Sequence, residues 1–130
     1  MIFGIGTDIV QIKRMQNNID MFGDKFAERI LSKEELQEYH NYNEPSRLLA
    51  KRFAAKEAAS KAMGTGFRDG ITLQQIYITH DNLGKPILNF IKDAQAFLID
   101  NGIEESHVSI SDEQDFAVAF VTLVKSNVSL

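Results

Sequence analysis

Three side chains in this 130-residue sequence have the types and spacing of a site for phosphate chemistry: Asp8 in "GIGTDIV", and Glu57 and Lys61 in "RFAAKEAASKAMGTG". At about 100° per residue, a helix through the second stretch projects Glu57 between Phe53 and Ala54, beside Ala50, with Lys61 on the same arc. On a solvated face such an i,i+4 pair contributes only ~0.3–0.5 kcal/mol. Here the neighbours are phenylalanine and alanine. Desolvating a lone carboxylate among them costs far more than the pair returns, unless a cation or full hydrogen bonding compensates.

Asp8 is the second carboxylate. Aspartate is depleted in strands, yet Asp8 falls within the strongest strand pattern of the N-terminal region, on a face that also carries Gly4 and Gly6. Glycines inside a strand mark the close approach of a ligand or of another backbone. Read alone, Asp8 is better taken as a helix cap after a strand that ends early. As a dinucleotide fingerprint "GIGTDI" fails, because the third glycine is missing and no βαβ unit follows. Two carboxylates with a lysine beside one of them suit magnesium and phosphate: the ion takes one or two carboxylates and completes its shell with water and phosphate oxygens, and Lys61 adds a point charge. Spacing alone does not bring Asp8 and Glu57 together.

The elements that must position these groups follow from periodicity. Residues 2–10 alternate as a strand, with Phe3, Ile5 and Ile9 on one side and Ile2 and Val10 on the other. Ile12, Met15, Ile19 and Phe22 form a helical apolar stripe stopped by Gly23, "KFAERIL" predicts a short second helix, and Ser32 with Glu35 makes a capping box for a third, "KEELQEYHNY". Pro45 opens and Gly64 closes a long helix that carries Glu57 and Lys61. "ITLQQIYITH" and "ILNF" read as strands joined by "DNLGKP", and "KDAQAFLIDNG" as a helix closed by Gly102. "HVSIS" and "FAVAFVTLV" form a hairpin across "DEQD", and the tail from Lys125 has little to hold it. The pattern is α+β: a mainly antiparallel sheet packed against a long helix, in one domain spanning residues 1–130.

Composition narrows the class. A net charge of −4 argues against a general nucleic-acid binder. The absence of cysteine removes disulfides, thiolate catalysis and cysteine zinc sites. The first ten residues lack the basic start of a signal peptide, and no apolar run approaches the ~20 residues of a membrane span, so a cytoplasmic protein is expected.

"GIGTDIV", "RFAAKEAASKAMGTG", "GKP" and "HVSIS", in this order over nearly the whole chain, resemble the holo-[acyl-carrier-protein] synthases, the small bacterial-type 4′-phosphopantetheinyl transferases. The resemblance implies that fold, and transfer of phosphopantetheine from coenzyme A to a serine of apo-acyl carrier protein. It implies Mg2+ held by Asp8 and Glu57 against the coenzyme pyrophosphate, with Lys61 on phosphate and Glu57 and Lys61 as the catalytic pair. It further implies a homotrimer with active sites between neighbours, for which "FAVAFVTLV" is a candidate interface or, equally, a central buried strand.

Other positions follow from the resemblance beside plainer readings. Gly64, Thr65 and Gly66 would let the backbone approach the coenzyme, although Gly64 is also a plain cap and a helix C-terminus is the wrong dipole end for an anion. His107 would lie near the nucleotide, on a strand face whose alternation also reads as merely solvated. Gly84, Lys85 and Pro86 would border adenine or ribose, and Arg52 would meet the 3′-phosphate. Asp112 stands where other members carry histidine, and no role is assigned to it. A basic docking surface for the acidic carrier is expected from Lys13, Arg14, Lys25 and Arg29, with Met21 and Phe26 as apolar anchors, diluted by Asp20 and Asp24. Two rivals remain: a magnesium-dependent pyrophosphate hydrolase using the same carboxylates, and a non-catalytic module that binds carrier protein or nucleotide.

Overall fold

The computed structural model describes residues 1–127. In chain order these form β1 (Ile2–Gln11), α1 (Ile12–Phe22), α2 (Asp24–Ile30), α3 (Lys33–Asn41), α4 (Pro45–Met63), a 3-10 turn (Leu73–Gln75), β2 (Ile76–His80), β3 (Pro86–Phe90), α5 (Lys92–Asp100), β4 (Ile103–Asp112) and β5 (Phe116–Lys125). All strand pairs are antiparallel: a three-stranded sheet in the order β1–β5–β4, and a separate β2–β3 hairpin. The α+β expectation holds.

Helix α4 runs across one face of the three-stranded sheet, against β1 and β5. It begins at Pro45 and ends at Gly64, whose φ of 80° is open to glycine and whose N–H reaches the carbonyls of Ser60 and Lys61. The glycines of β1 are explained here. A Cβ on Gly6 would overlap the carbonyl oxygen of Ala58, and one on Gly4 that of Ala62. The patch cleared on the strand is therefore filled by the backbone of α4, not by a ligand. Alanine on the helix and glycine on the strand are two halves of one close contact.

Behind α4, Lys56 is fully buried and its Nζ donates to the carbonyls of Ile30 and Leu73 and to Glu35 Oε1. Glu35 also completes the capping box with Ser32, as the sequence predicts, and its Oε2 accepts from Ile78 N–H. Burial draws the Lys56 ammonium pKa down, while Glu35 opposes that shift.

Several boundaries differ from the sequence reading. "ITLQQIYITH" is a strand only from Ile76. Its first half turns as a 3-10 segment, because the Gln75 amide donates to Gly70 O and accepts from Ala94 N–H. Strand β4 starts at Ile103, four residues before "HVSIS". Lys125 is held: it ends β5, its N–H bonds Met1 O, and the Met1 amine donates to Asn127 Oδ1. Residues 128–130 of that tail lie outside the described residues. On β1, Ile5 and Ile9 are exposed (55% and 63%), and Val10 is the buried member. Phe22 is likewise exposed, although the periodicity put it on the buried stripe with Ile12 and Met15.

Candidate active site

The contact that Gly4 and Gly6 make with α4 carries Asp8, two residues further on the same strand face, to the helix turns bearing Glu57 and Lys61. Lys61 Nζ donates to Asp8 Oδ1 at 3.1 Å and to the Thr7 carbonyl at 3.0 Å. The half-buried Glu57 carboxyl has its pKa raised, first by burial and then by the charge of Asp8, with Lys61 and Arg14 pulling the other way. Arg14 also lies over the Phe53 ring, 5.8 Å from its centre. Two acids and two bases from β1, α1 and α4 thus share one electrostatic neighbourhood.

This donor set fits a divalent cation that brings its own phosphate ligands. Two like charges whose proximity raises a carboxyl pKa gain from a cation between them. Among the described residues no group of three or more His, Asp or Glu side chains could hold a metal, so two carboxylates are what the site offers. Magnesium commonly binds with that number and takes its remaining oxygens from water and phosphates. The Lys61–Asp8 pair is partly exposed on the lysine side, where ion pairs are worth about 0–1 kcal/mol, so little energy ties Lys61 to Asp8.

The expected coenzyme residues fall in three places. Arg52, Gly84 and Pro86 line a cavity of about 190 Å³ with Lys51, His80, Ile110 and Asp112. There Arg52 Nη2 donates to Glu38 at 2.6 Å, while its buried Nε has no hydrogen-bond partner and lies 3.8 Å from Glu35. Lys85 sits in the exposed turn, where its N–H bonds Asp81 Oδ1. Backbone donors at Lys85 and Leu83 hold the Asp81 carboxyl below its usual range. Gly64 and Gly66 are exposed beyond the far end of α4, and Thr65 lines a cleft with Asp69, Asp93 and Asp100, an acidic setting for an anion. His107 stands on the sheet face turned away from α4, exposed, with Glu105 Oε2 3.1 Å from its Nε2.

Along β1 and β5 that outer face is apolar. Ile5, Ile9, Phe116, Val118 and Phe120 are all exposed on it, while Ala117, Ala119, Val121 and Leu123 alternate inward under α4. Strand β5 is thus both central in its sheet and open on one side. A cavity of about 350 Å³ on this face joins Ile9, next to Asp8, with Phe116, Val118 and Asp112. Asp112 borders the Arg52 cavity too, and Arg47 holds it at 2.8 Å.

On the shoulder formed by α1 and α2, Lys13, Arg14, Lys25 and Arg29 are exposed, and Met21 protrudes at 71%. Phe26 packs against the core instead. The exposed aromatic there is Phe22, which leaves Met21 and Phe22 as the apolar pair. The sequence reading missed the proximity of Arg14 to Glu57, the Lys51–His80 wall of the basic cavity, and the burial of Lys56. For Lys56 a signal existed: Ala54, Ala55, Ala58 and Ala59 surround it in sequence, and all are buried.

Comparison with known proteins adds four findings. Residues 4–121 match the family model of the 4′-phosphopantetheinyl transferase superfamily. The sequence is 47% identical to the holo-[acyl-carrier-protein] synthase of Nitrosospira multiformis, over 96% of this chain and all of the relative. Its fold is similar to the crystal structure of the Neisseria meningitidis holo-[acyl-carrier-protein] synthase, with a TM-score of 0.92 and 47% identity over 96% of this chain and 100% of that one. It is also similar to the Bacillus anthracis holo-(acyl-carrier-protein) synthase in complex with CoA (3′,5′-ADP), with a TM-score of 0.81 and 38% identity over 97% and 99% of the two chains.

Proposed function

The chain belongs to the 4′-phosphopantetheinyl transferase superfamily and has the activity of its holo-[acyl-carrier-protein] synthases, and from that premise we propose how its own residues carry out the transfer. The reaction moves 4′-phosphopantetheine from coenzyme A to a serine hydroxyl of apo-acyl carrier protein and releases adenosine 3′,5′-bisphosphate. The observation that carries the assignment of roles is the convergence of Asp8, Glu57 and Lys61.

Asp8 and Glu57 would hold magnesium, which when bound supplies positive charge to the pyrophosphate oxygens. Lys61 leaves Asp8 for a phosphate oxygen and neutralises charge that grows as the phosphoanhydride bond breaks. The serine oxygen attacks the phosphorus on the pantetheine side in line, the new P–O bond forms, and the nucleotide phosphate departs with the electrons of the broken bond. Glu57 is also the candidate to take the serine proton.

Arg52, His80 and Lys51 form the basic end of the coenzyme site, with Gly84, Lys85 and Pro86 at its margin. Gly64–Gly66, beyond the end of α4, and His107, on the outer face of β4, do not line that cavity. The exposed apolar row on the outer face of the sheet supports the reading that the chain closes into a homotrimer in which two neighbouring copies complete each site. The carrier docks on Lys13, Arg14, Lys25 and Arg29, with Met21 and Phe22 beneath it. One continuous core supports a single transferase domain, and the family's substrates fit a cytoplasmic enzyme. Among the described residues no helix is long and apolar enough to cross a membrane.

The test is to mix the protein with coenzyme A, Mg2+ and apo-acyl carrier protein and weigh the carrier by intact mass spectrometry. A gain equal to phosphopantetheine that disappears with chelator is expected. Cleaved coenzyme A with an unmodified carrier would establish a hydrolase, and unchanged substrates a binding module.

A further inference from the structure

The contact between α4 and β1 is backbone against backbone, and that raises a positioning problem. With glycine on the strand and alanine on the helix, the contact sets how closely the two elements approach, but it offers few side-chain knobs to stop the helix rotating or sliding. Yet Glu57 and Lys61 must point at Asp8. Misplacing a reacting group by about 1 Å can cost roughly a hundredfold in rate.

The opposite side of α4 carries the missing constraint. Lys56 directly precedes Glu57, so any rotation that moves one side chain moves the other. All three ammonium protons of Lys56 are taken, by Ile30 O at 2.7 Å, Glu35 Oε1 at 2.6 Å and Leu73 O at 3.1 Å. These acceptors belong to the end of α2, to α3 and to the 3-10 turn, so the ammonium is fixed from three separate elements. Glu35 is itself immobilised by Ser32 N–H at 2.9 Å and Ile78 N–H at 3.0 Å. A buried ion pair of this kind is weak as a source of stability, since apolar pairs of similar volume commonly replace it without loss. Its geometric specificity is what the neighbouring catalytic turn can use.

We propose that Lys56 and Glu35 are positioning residues for the transfer: the buried pair sets the rotation of α4, and through it the convergence of Glu57 and Lys61 on Asp8. Neither residue touches substrate. The pair also connects the two ends of the site, because Arg52, one turn before Lys56, reaches the same Glu35 and lines the basic cavity. The proposal rests on the transferase reading only for its rate measurement.

The experiment is the double variant Lys56→Met/Glu35→Leu, which removes both charges and keeps the volume. Because the Ser32 and Ile78 N–H groups and the Ile30 and Leu73 carbonyls lose their partners, urea denaturation is expected to place its midpoint below that of the wild type. At a temperature where both proteins are folded, kcat is expected to fall roughly 10- to 100-fold, with the KM for coenzyme A changed less than about threefold. Mn2+, used as an EPR-visible probe in the presence of coenzyme A, is expected to bind about tenfold more weakly. A folded double variant with wild-type kcat and Mn2+ affinity overturns the proposal. Should the double variant not fold, Glu35→Gln decides: a severalfold fall in kcat without loss of fold supports the positioning role, and wild-type behaviour overturns it. Failure of the wild type to modify the carrier sinks the functional reading alone, and the Mn2+ measurement then decides this one.

Discussion

The two faces of the β1–β5–β4 sheet are built on opposite principles. On the inner face Gly4 and Gly6 are so small that a helix backbone lies against them, flanked by the buried Ala117, Ala119, Val121 and Leu123, and this contact delivers Asp8 to the turns of Glu57 and Lys61 within one chain. The outer face offers Ile5, Ile9, Phe116, Val118 and Phe120 to solvent, with His107 in the same layer. A contiguous exposed apolar row of this kind marks an interaction surface. The inner face carries the proposed diphosphate half of the site, and the outer face the proposed interface between copies.

The harshest way to break the inner face is to give it a side chain. Gly6→Val puts branched carbon where the Ala58 carbonyl already lies, and there is no flexible neighbour to give way. Overpacking costs about 1–3 kcal/mol when a core can adjust. A backbone-on-backbone contact cannot, so urea denaturation should show a loss at or above that range, or no folded protein. Ile5→Ala, on the outer face of the same strand, should leave the stability of the isolated chain nearly unchanged. Equal losses for the two would mean that the faces do not differ as described.

Next in size is Glu57→Gln, which keeps shape and burial and removes one charge. The expected fall in kcat is roughly 10²–10³-fold, with the urea midpoint unchanged or raised, since a desolvated carboxyl beside Asp8 is costly to keep ionised. Near-normal turnover at saturating Mg2+ would remove Glu57 from both metal binding and proton transfer. On the outer face, Phe120→Glu puts a carboxylate into the apolar row. Sedimentation should show the assembly dissociating to single chains, and transfer should fall with it if His107 serves a neighbour's site. A variant that remains fully active as a monomer would confine the whole site to one chain.

Much of the inner face was legible in the sequence, because its signals are local and chemical. A glutamate among alanines, an aspartate in a strand with two glycines, a proline start and a glycine stop each have a direct physical meaning. What the glycines receive was not legible, since a ligand and a helix backbone demand the same absence of Cβ. The outer face was readable only as an ambiguity: the alternation of "FAVAFVTLV" gives one buried row and one other, and cannot say whether solvent or a second copy meets the other. Lys56 and His80 were hidden for a different reason. Lys56 meets its partner Glu35, and His80 meets the repelling charge of Arg52, only through packing of segments distant in sequence.

The smallest expected effect sharpens the boundary between the inner site and its approach. Arg14 lies near Glu57 and over Phe53, so its charge acts on the site as well as on any docking partner, and reversing it would confound the two. Lys25, on α2, is exposed and enters no ion pair, hydrogen bond or cation–π contact that the structure shows among the described residues. Lys25→Glu should therefore leave kcat and the KM for coenzyme A unchanged. It should lower kcat/KM for an acidic carrier severalfold at low salt and flatten its salt dependence, because rim charges act on the rate of encounter. If kcat/KM keeps the wild-type slope against ionic strength, the α1–α2 shoulder is not where the carrier arrives, and the approach to Asp8 and Glu57 must be sought along the open sheet face beside Ile9.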